Sequence, residues 1–464
     1  MQANQRTLLI VCFYSVISQT SAQRNSNNLI VSGPMMGQIE LRTATIWLEL
    51  SPTVKKATIR YWKKNDPSKQ ILQKYSGLLG KEFNPVKFEI GGLDINYTYV
   101  FDFILNDNPS LVKGEFSTKD LWQWRKPAPD FTFLTGSCAY FNEPRYDRPG
   151  KPYGADSSIF ETMAKTPASF MLWLGDNWYT READYSSTWG LWYRASHDRR
   201  LPVMQAFWKS MPHYAIWDDH DYGPDDADGS YILKDSSRQV FMHYWSNPSY
   251  GQDGEGTYTQ YAYSDMDFFL TDDRYFRSSD KLLDSINGKP NQEKHFFGRK
   301  QLDWLKNALA TSEATFKLIV VGSQVLNRLN GTAEGLDHYP AEFEELMNFL
   351  DIQKIKGVIF LTGDRHHSEV VFEARPGNYT LYDITSSPLT SGISLVRGIE
   401  LNNHARVPGT LVEVQNFTRI TVTGPPGNRK LLAEFLDAKG EKKGEWAIGQ
   451  EQLGWIVKDA HPNH

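Results

Sequence analysis

Five short apolar runs, each ending in a knot of polar side chains, constrain this chain more than any other feature. Phe131 to Thr135 leads into Gly136-Ser137-Cys138, Phe170 to Leu174 into Gly175-Asp176-Asn177, and His213 to Trp217 into Asp218-Asp219-His220-Asp221. Leu318 to Val321 leads into Gly322-Ser323-Gln324, and Val358 to Leu361 into Gly363-Asp364-Arg365-His366-His367. Short apolar runs without alternation read as strands buried on both faces. Between them, Arg299 to Leu309 and Ala341 to Leu350 have helical spacing, with Leu302, Leu305 and Leu309 on one face. Buried strands interleaved with helices make a layered α/β fold, whose ligands bind at the C-terminal strand edge. The chemistry-bearing residues of this chain are predicted to sit at that edge.

Before residue 120 the rhythm is different. Ala44 to Leu50, Ala57 to Trp62, Val86 to Ile90, Tyr97 to Leu105 and Val112 to Ser117 are strand-like and separated by Pro, Gly and Asn turns. This predicts a small β-sandwich over residues 29–120. Leu93, with Tyr99 six residues on, matches the tyrosine corner of fibronectin-III and immunoglobulin-like domains. The region has no cluster of His, Cys or carboxylates, so packing or substrate guidance is the role expected of it. Lys126-Pro127-Ala128-Pro129 marks a linker, and the second domain is expected over residues 130–440. Its last part, Thr410 to Leu436, returns to strands around Gly424-Pro425-Pro426-Gly427, and residues 441–464 read as a C-terminal tail.

The first residues read as a secretory signal. Arg6 is the positive end, Thr7 to Ile17 the apolar run, and Thr20-Ser21-Ala22 a small-residue cleavage site, giving a signal peptide at 1–22. An exported protein, periplasmic or extracellular, is expected, and no later run is long enough for a transmembrane anchor. Of the two cysteines, Cys12 leaves with the signal, so Cys138 has no intramolecular partner. Lys+Arg 50 against Asp+Glu 55 gives a net charge of −5, which excludes a basic coat and a stable nucleic-acid partner. Asn96-Tyr97-Thr98 and Asn330-Gly331-Thr332 match the N-glycosylation pattern. The aromatic stretch from Trp189 to Trp208 is expected to wall the cleft.

Collected, the strand ends offer Cys138, Asp176, Tyr179, Asp219, His220, Asp221, Asp364, His366 and His367. A thiol, a phenol, imidazoles and several carboxylates suit a metal site better than a Ser-His-Asp triad, because clustered carboxylates repel unless a cation sits among them. Thiolate and phenolate suit a strongly acidic ion, and carboxylates suit a hard ion such as calcium, so two unlike metals are expected. Each residue alone also has an ordinary reading. Gly-Asp after a strand is a common turn, Asp-Asp-His-Asp could be a solvated loop, and a lone Cys is most often a small buried hydrophobe.

These motifs resemble the PhoD-like alkaline phosphatases of the metallophosphoesterase superfamily. The resemblance rests on Gly136-Ser137-Cys138, Gly175-Asp176-Asn177-Trp178-Tyr179, Trp217-Asp218-Asp219-His220-Asp221-Tyr222-Gly223, Gly363-Asp364-Arg365-His366 and Gly298-Arg299-Lys300-Gln301-Leu302-Asp303-Trp304-Leu305. Phe268 to Arg277 and Asp337-His338-Tyr339-Pro340 add to it. It implies a four-layer α-β-β-α sandwich over a two-metal centre of Fe3+ and Ca2+. It also implies that Cys138, Tyr179, Asp176 and His366 hold the iron, with Asp176 bridging, and that Asp364, Asp219 and Asp221 serve the second ion. The implied reaction is attack of a metal-bound hydroxide on a phosphate mono- or diester of a small molecule or polymer. In that scheme His220 protonates the leaving oxygen, while Arg365 or Arg274 neutralises a phosphate oxygen. A phospholipid or nucleic-acid phosphodiesterase and a catalytically silent surface binding protein on the same fold are the alternatives. Two departures stand out: Asp225 lies where family members carry Asn, and no Arg-Arg pair marks a twin-arginine export signal.

Overall fold

The computed structural model describes residues 29–329 and 333–454. The signal-like segment 1–22, the Asn330-Gly331-Thr332 pattern and the last ten residues lie outside the described residues. The chain divides into two compact units: residues 29–121 with 199–209, and residues 122–198 with 210–454.

In the first unit, β1 (Ile30–Ile39), β2 (Thr43–Leu50) and β5 (Pro85–Gly91) form a three-stranded sheet in the order β1-β2-β5. The strands β3 (Ala57–Lys63), β4 (Ile71–Lys74), β6 (Thr98–Leu105) and β7 (Asn108–Ser117) form a second, ordered β4-β3-β6-β7. Side chains alternate as a half-buried strand requires: Val86, Phe88 and Ile90 are buried on β5, with Lys87 and Glu89 on the other face. The buried faces share one core that includes Leu48, Ile59, Phe101 and Phe103. The Tyr99 hydroxyl accepts the Asp94 N–H at 2.9 Å, which ties the loop to the head of β6 as the tyrosine corner predicts.

Residues 199–209 belong to this unit although they lie far along the chain. The Ser32 hydroxyl donates to the Arg199 carbonyl at 2.8 Å, Gln205 Oε1 accepts the Gly33 N–H at 3.0 Å, and the Arg199 guanidinium lies 4.9 Å over Trp47. The aromatic stretch expected to wall the cleft is therefore divided. The Trp208 indole donates to the Arg199 carbonyl at 3.0 Å, whereas Trp192 packs on His243 and Tyr244.

The second unit holds two six-stranded sheets. The first contains β8 (Phe131–Gly136), β9 (Met171–Leu174), β10 (His213–Ile216), β19 (Asn416–Thr423), β20 (Lys430–Asp437) and β21 (Lys442–Gly449), in the order β10-β9-β8-β19-β20-β21. β8, β9 and β10 run parallel, and β19 closes antiparallel on β8. The second contains β11 (Thr259–Tyr263), β12 (Met266–Leu270), β15 (Phe316–Val321), β16 (Val358–Thr362), β17 (Glu369–Glu373) and β18 (Leu381–Thr385), in the order β11-β12-β15-β16-β18-β17. The short strands β13 (Ser285–Ile286) and β14 (Lys289–Pro290) make a separate hairpin.

Phe268 on β12 meets Phe133 on β8 edge-on at 5.3 Å, so the two sheets face each other through their inner side chains. Full burial of such a ring contributes about 1.5–3 kcal/mol. The helix Gly298–Thr311 adds Leu302, Leu305 and Leu309 to this core, and the helix Pro340–Ile352 adds Phe343, Leu346 and Leu350. On β9, Leu172 and Leu174 join the core between the sheets, while Trp173 turns outward to Phe160 of the helix Ile159–Lys165. This unit has the four-layer α-β-β-α arrangement.

β21 corrects the sequence reading, which leaves 441–464 as a tail. Lys442–Gly449 pairs antiparallel with β20 and sends Trp446 and Ile448 into the core. Its charged start, Glu441-Lys442-Lys443, disguises an edge strand, where charge suppresses further pairing.

Candidate metal centre

The C-terminal ends of β8, β9, β10, β15 and β16 converge, and glycines let them approach. A Cβ on Gly175 would come within 2.6 Å of the Asp218 side chain, and one on Gly363 within 2.6 Å of the Leu174 carbonyl. Gly175 also sits at φ 92°, which disfavours any side chain. Across this junction the Ala139 N–H donates to the Asp176 carbonyl, and the Gly363 N–H to the Gly322 carbonyl, both at 2.8 Å. The backbone of the site itself is strained. Cys138, Asp176, Asp364 and His366 have φ of 62°, 53°, 63° and 57°, a left-handed conformation that costs a non-glycine residue about 1–2 kcal/mol. Each lies within four residues of a strand end, and the turn aims its side chain back across the sheet edge.

There the side chains meet. Asp176 Oδ2 accepts the Tyr179 hydroxyl at 2.9 Å and lies 3.5 Å from Cys138 Sγ, which is also 3.2 Å from the Ser387 hydroxyl. The Tyr179 oxygen is 3.2 Å from His366 Nε2, whose Nδ1 is 3.0 Å from the Tyr153 hydroxyl. On the other side, Asp176 Oδ1 accepts the His220 N–H at 3.3 Å, and Asp219 Oδ2 accepts the Asp226 N–H at 2.8 Å. His220 lies over Tyr179 with ring centroids 4.1 Å apart and the rings tilted by 31°, and its Nε2 is 3.4 Å from Asp225 Oδ1.

Three sets of donor atoms result, each within 4.8 Å: Cys138, Asp176 and His366; Asp176, Asp219 and His220; and Asp219, Asp225 and Asp226. The first two share Asp176 and the last two share Asp219. The donor chemistry fits cations. A buried thiol, phenol and carboxylates in mutual contact are costly to ionise without a compensating positive charge, and a cation at their centre supplies it. In the protein alone, burial pushes the Cys138 thiol up to about 12 and the Tyr179 phenol well above its usual range. Burial, then the neighbouring Asp219 and Cys138, raises Asp176 well above the usual carboxylate range. Asp364 is pushed up to about 7 by burial and then by Glu334, and burial lowers His366 to about 4.

Of the residues expected from sequence, the structure brings together Cys138, Asp176, Tyr179, Asp219, His220 and His366. Asp364 lines a cavity with Asp176, Asp219, His220 and His366, and its carbonyl is 3.7 Å from Cys138 Sγ. Asp221 does not join them. Its carboxylate accepts the N–H groups of Asn177, Trp178 and Asp218 at 2.9, 3.3 and 3.0 Å, so it clamps the turn instead of facing an ion.

Arg274 also corrects the expectation. It is fully buried, donating from Nε to Asp218 at 2.5 Å and from Nη1 to Glu334 at 3.0 Å. It neutralises the carboxylates beneath the site. Replacing it with methionine leaves Asp218 buried without its cation and Glu334 with Arg277 as its remaining arginine, at an expected cost of about 3–5 kcal/mol of stability. Denaturant melts check this, and a loss below about 1 kcal/mol contradicts it. Arg365 lines the cavity, but its forks end on Gln324 at 2.6 Å and on both Glu400 oxygens at 2.9 Å, which makes it a tether for the cavity edge.

Tyr153 and Asp226 escaped sequence reasoning, and neither follows an apolar run. Tyr153 lies in a Gly150-Lys151-Pro152-Tyr153-Gly154 loop, and only its place between two glycines sets it apart. His367, grouped with the site from sequence, is packed instead: Nδ1 is 3.2 Å from the Ser394 carbonyl and Nε2 3.6 Å from Glu369.

Two cavities open on the centre. One of about 580 Å³ is lined by Asp176, Asp219, Asp364, His366 and Arg397. The other, about 330 Å³, is lined by Tyr140, Arg148, Lys151 and Tyr185. Both are walled by Tyr153, His220 and Asp225.

A family model described as PhoD-like phosphatase matches residues 133–396. Alkaline phosphatase D of Bacillus subtilis (strain 168) is 24% identical over 355 residues, an alignment spanning 66% of this chain and 58% of that protein. A solved structure of PhoD superposes with a TM-score of 0.70 at 17% identity and covers 91% of each chain. The purple acid phosphatase PPD1 from yellow lupin seeds gives 0.64 at 10% identity, covering 90% of this chain and 74% of that one. At these identities the two structures speak for the fold alone.

Proposed function

The chain belongs to the PhoD-like phosphatase family, and from that premise we propose that it is an exported, metal-dependent phosphoesterase acting on phosphate mono- and diesters. The observation that carries this reading is the run of overlapping donor sets joined through Asp176 and Asp219. Cys138, Tyr179, His366 and Asp176 would hold one ion, and their anionic thiolate, phenolate and carboxylate donors suit a trivalent, strongly acidic ion such as iron(III). Asp176, Asp219 and Asp364, with Asp225 in place of the family's Asn, would hold a second, oxygen-ligated ion such as calcium. When bound, the two cations supply a water acidic enough to ionise near neutral pH and a positive field for the phosphoryl oxygens.

The remaining work falls to the chain's own residues. His220 stands on the wall between the two cavities, placed to give a proton to the leaving oxygen, with Asp225 beside its Nε2 to hold the ring. Tyr153 fixes the ring of His366 through Nδ1, leaving Nε2 toward Tyr179. Two cavities meeting at one histidine favour a diester, with one substituent in each. Export rests on the reading of 1–22. Among the described residues, no helix is long and apolar enough to cross a membrane.

Metal extraction tests the proposal. Purified protein is expected to carry about two cations per chain and to hydrolyse a chromogenic diester. Chelation should abolish turnover, and iron with calcium should restore it. Full turnover by metal-free protein would sink the reading.

A further inference from the structure

With Arg274 and Arg365 both spent on internal carboxylates, the site still needs a side-chain cation for its substrate. An anionic ester entering the larger cavity meets the carboxylates of Asp176, Asp219, Asp225, Asp226 and Asp364, which repel it. The proposed metal ions offset part of that repulsion, and a cation on the cavity wall would offset more. Most wall cations are already engaged. Arg148 is paired with Glu182 at 2.9 Å, Arg181 with Asp147 at 3.1 Å and Arg365 with Glu400 at 2.9 Å. Among the described residues, Arg397 and Lys151 have no carboxylate partner.

These two differ in place. Lys151 lines the smaller cavity, whose walls include none of Asp176, Asp219 and Asp364, whereas Arg397 lines the larger one together with all three and with His366. Lys151 therefore faces a substituent, and Arg397 shares the space where phosphorus would react. The loop that carries Arg397 is fixed on both sides. Val396 before it is buried, and its N–H donates to Glu413 Oε1 at 2.7 Å. Gly398 after it, at φ 58°, opens the short 3-10 turn Gly398–Asn402. Within that turn the Glu400 carboxylate accepts Arg365 Nη2 at 2.9 Å and Asn327 Nδ2 at 3.0 Å. The Ser394 N–H donates to the His366 carbonyl at 3.0 Å, which ties the same loop to the turn that bears a metal-site residue. Arg397 itself is exposed. A guanidinium on a fixed backbone, with its fork unspent, suits two oxygens of one phosphate.

Building on the phosphoesterase reading, we infer that Arg397 is the anion clamp of the site, its guanidinium meeting the non-bridging phosphate oxygens, and that the Arg365–Glu400 pair is the strut that sets its loop. Arg397 is the binding residue, and Arg365 and Glu400 are positioning residues that serve the phosphate at second hand.

Calorimetric titration of inorganic phosphate into metal-loaded protein reads the clamp without turnover. Arg397→Gln, a change on an exposed side chain, should weaken phosphate binding by about 10- to 100-fold, as loss of charge-assisted hydrogen bonds does. The kcat/KM for a chromogenic diester should fall by a similar factor, with metal content unchanged. Glu400→Gln should weaken phosphate binding about three- to tenfold in the wild type and add nothing in the Arg397→Gln background, because a strut without its clamp has nothing to position. Phosphate affinity and kcat/KM within twofold of wild type in Arg397→Gln overturn the clamp and leave the phosphoesterase reading standing. Equal factors for Glu400→Gln in both backgrounds overturn the strut. A metal-loaded wild type that neither binds phosphate nor hydrolyses any ester overturns the clamp and the phosphoesterase reading together.

Discussion

Replacing Asp176 with asparagine is expected to lower turnover by at least about a thousandfold and to strip metal from the protein. The carboxylate is the one group shared by the first two donor sets, and it is touched by Cys138, Tyr179 and the backbone of His220. Asparagine keeps the size and one acceptor but supplies no charge, so both proposed cations would lose a ligand together. The metals' share of transition-state stabilisation is several kcal/mol, and each 1.36 kcal/mol is tenfold in rate. The fold should survive, because the substitution removes a buried charge that costs stability in the absence of metal. Elemental analysis, steady-state rates and a thermal melt on one preparation check the expectation. Full metal content with turnover within tenfold of wild type would remove Asp176 from its proposed bridging place.

The His220→Ala variant is expected to separate metal binding from proton transfer. Turnover should drop by about 10² to 10⁴, the usual contribution of a positioned proton donor, while metal content stays near that of the wild type. Leaving-group dependence gives the sharper readout. A p-nitrophenolate departs without help, so its ester should lose little, whereas an alkyl alcohol needs the proton and its ester should lose the full amount. An equal loss across leaving groups would contradict the acid role. Metal lost in step with activity would make His220 a ligand in the set it shares with Asp176 and Asp219.

The position of the centre was legible because one physical rule covers it: strands buried on both faces are apolar, and the polarity begins where they end. Cys138, Asp176, Asp219, Asp364 and His366 all follow from that rule. The orientation of each side chain was not legible. Asp219, His220 and Asp221 stand on one helical turn, where successive residues point about 100° apart, and nothing in Asp-Asp-His-Asp fixes the phase. The structure fixes it by giving Asp221 three backbone N–H groups to accept, which leaves Asp219 and His220 to the cavity. Arg274 was misread for a related reason. The resemblance implied an anion clamp at Arg274 or Arg365, and only the fold places Asp218 and Glu334 around Arg274.

The small β-domain was legible from its alternation and its tyrosine corner, but its claim on residues 199–209 was not. That claim depends on hydrogen bonds between residues 167 and 172 positions apart, to which local pattern is blind. Tyr153 was hidden for the same reason, since it reaches His366 across 213 positions.

The left-handed backbone at Cys138, Asp176, Asp364 and His366 has a consequence for how such a protein can be improved or can decay. Glycine relieves the local tension at each of these positions, so a screen that rewards heat resistance alone should collect glycines there and return robust proteins with an empty centre. Selection for persistence and selection for chemistry therefore pull these four codons in opposite directions. Relaxed selection on activity should be recorded first at these four positions, before any erosion reaches the strands that support them.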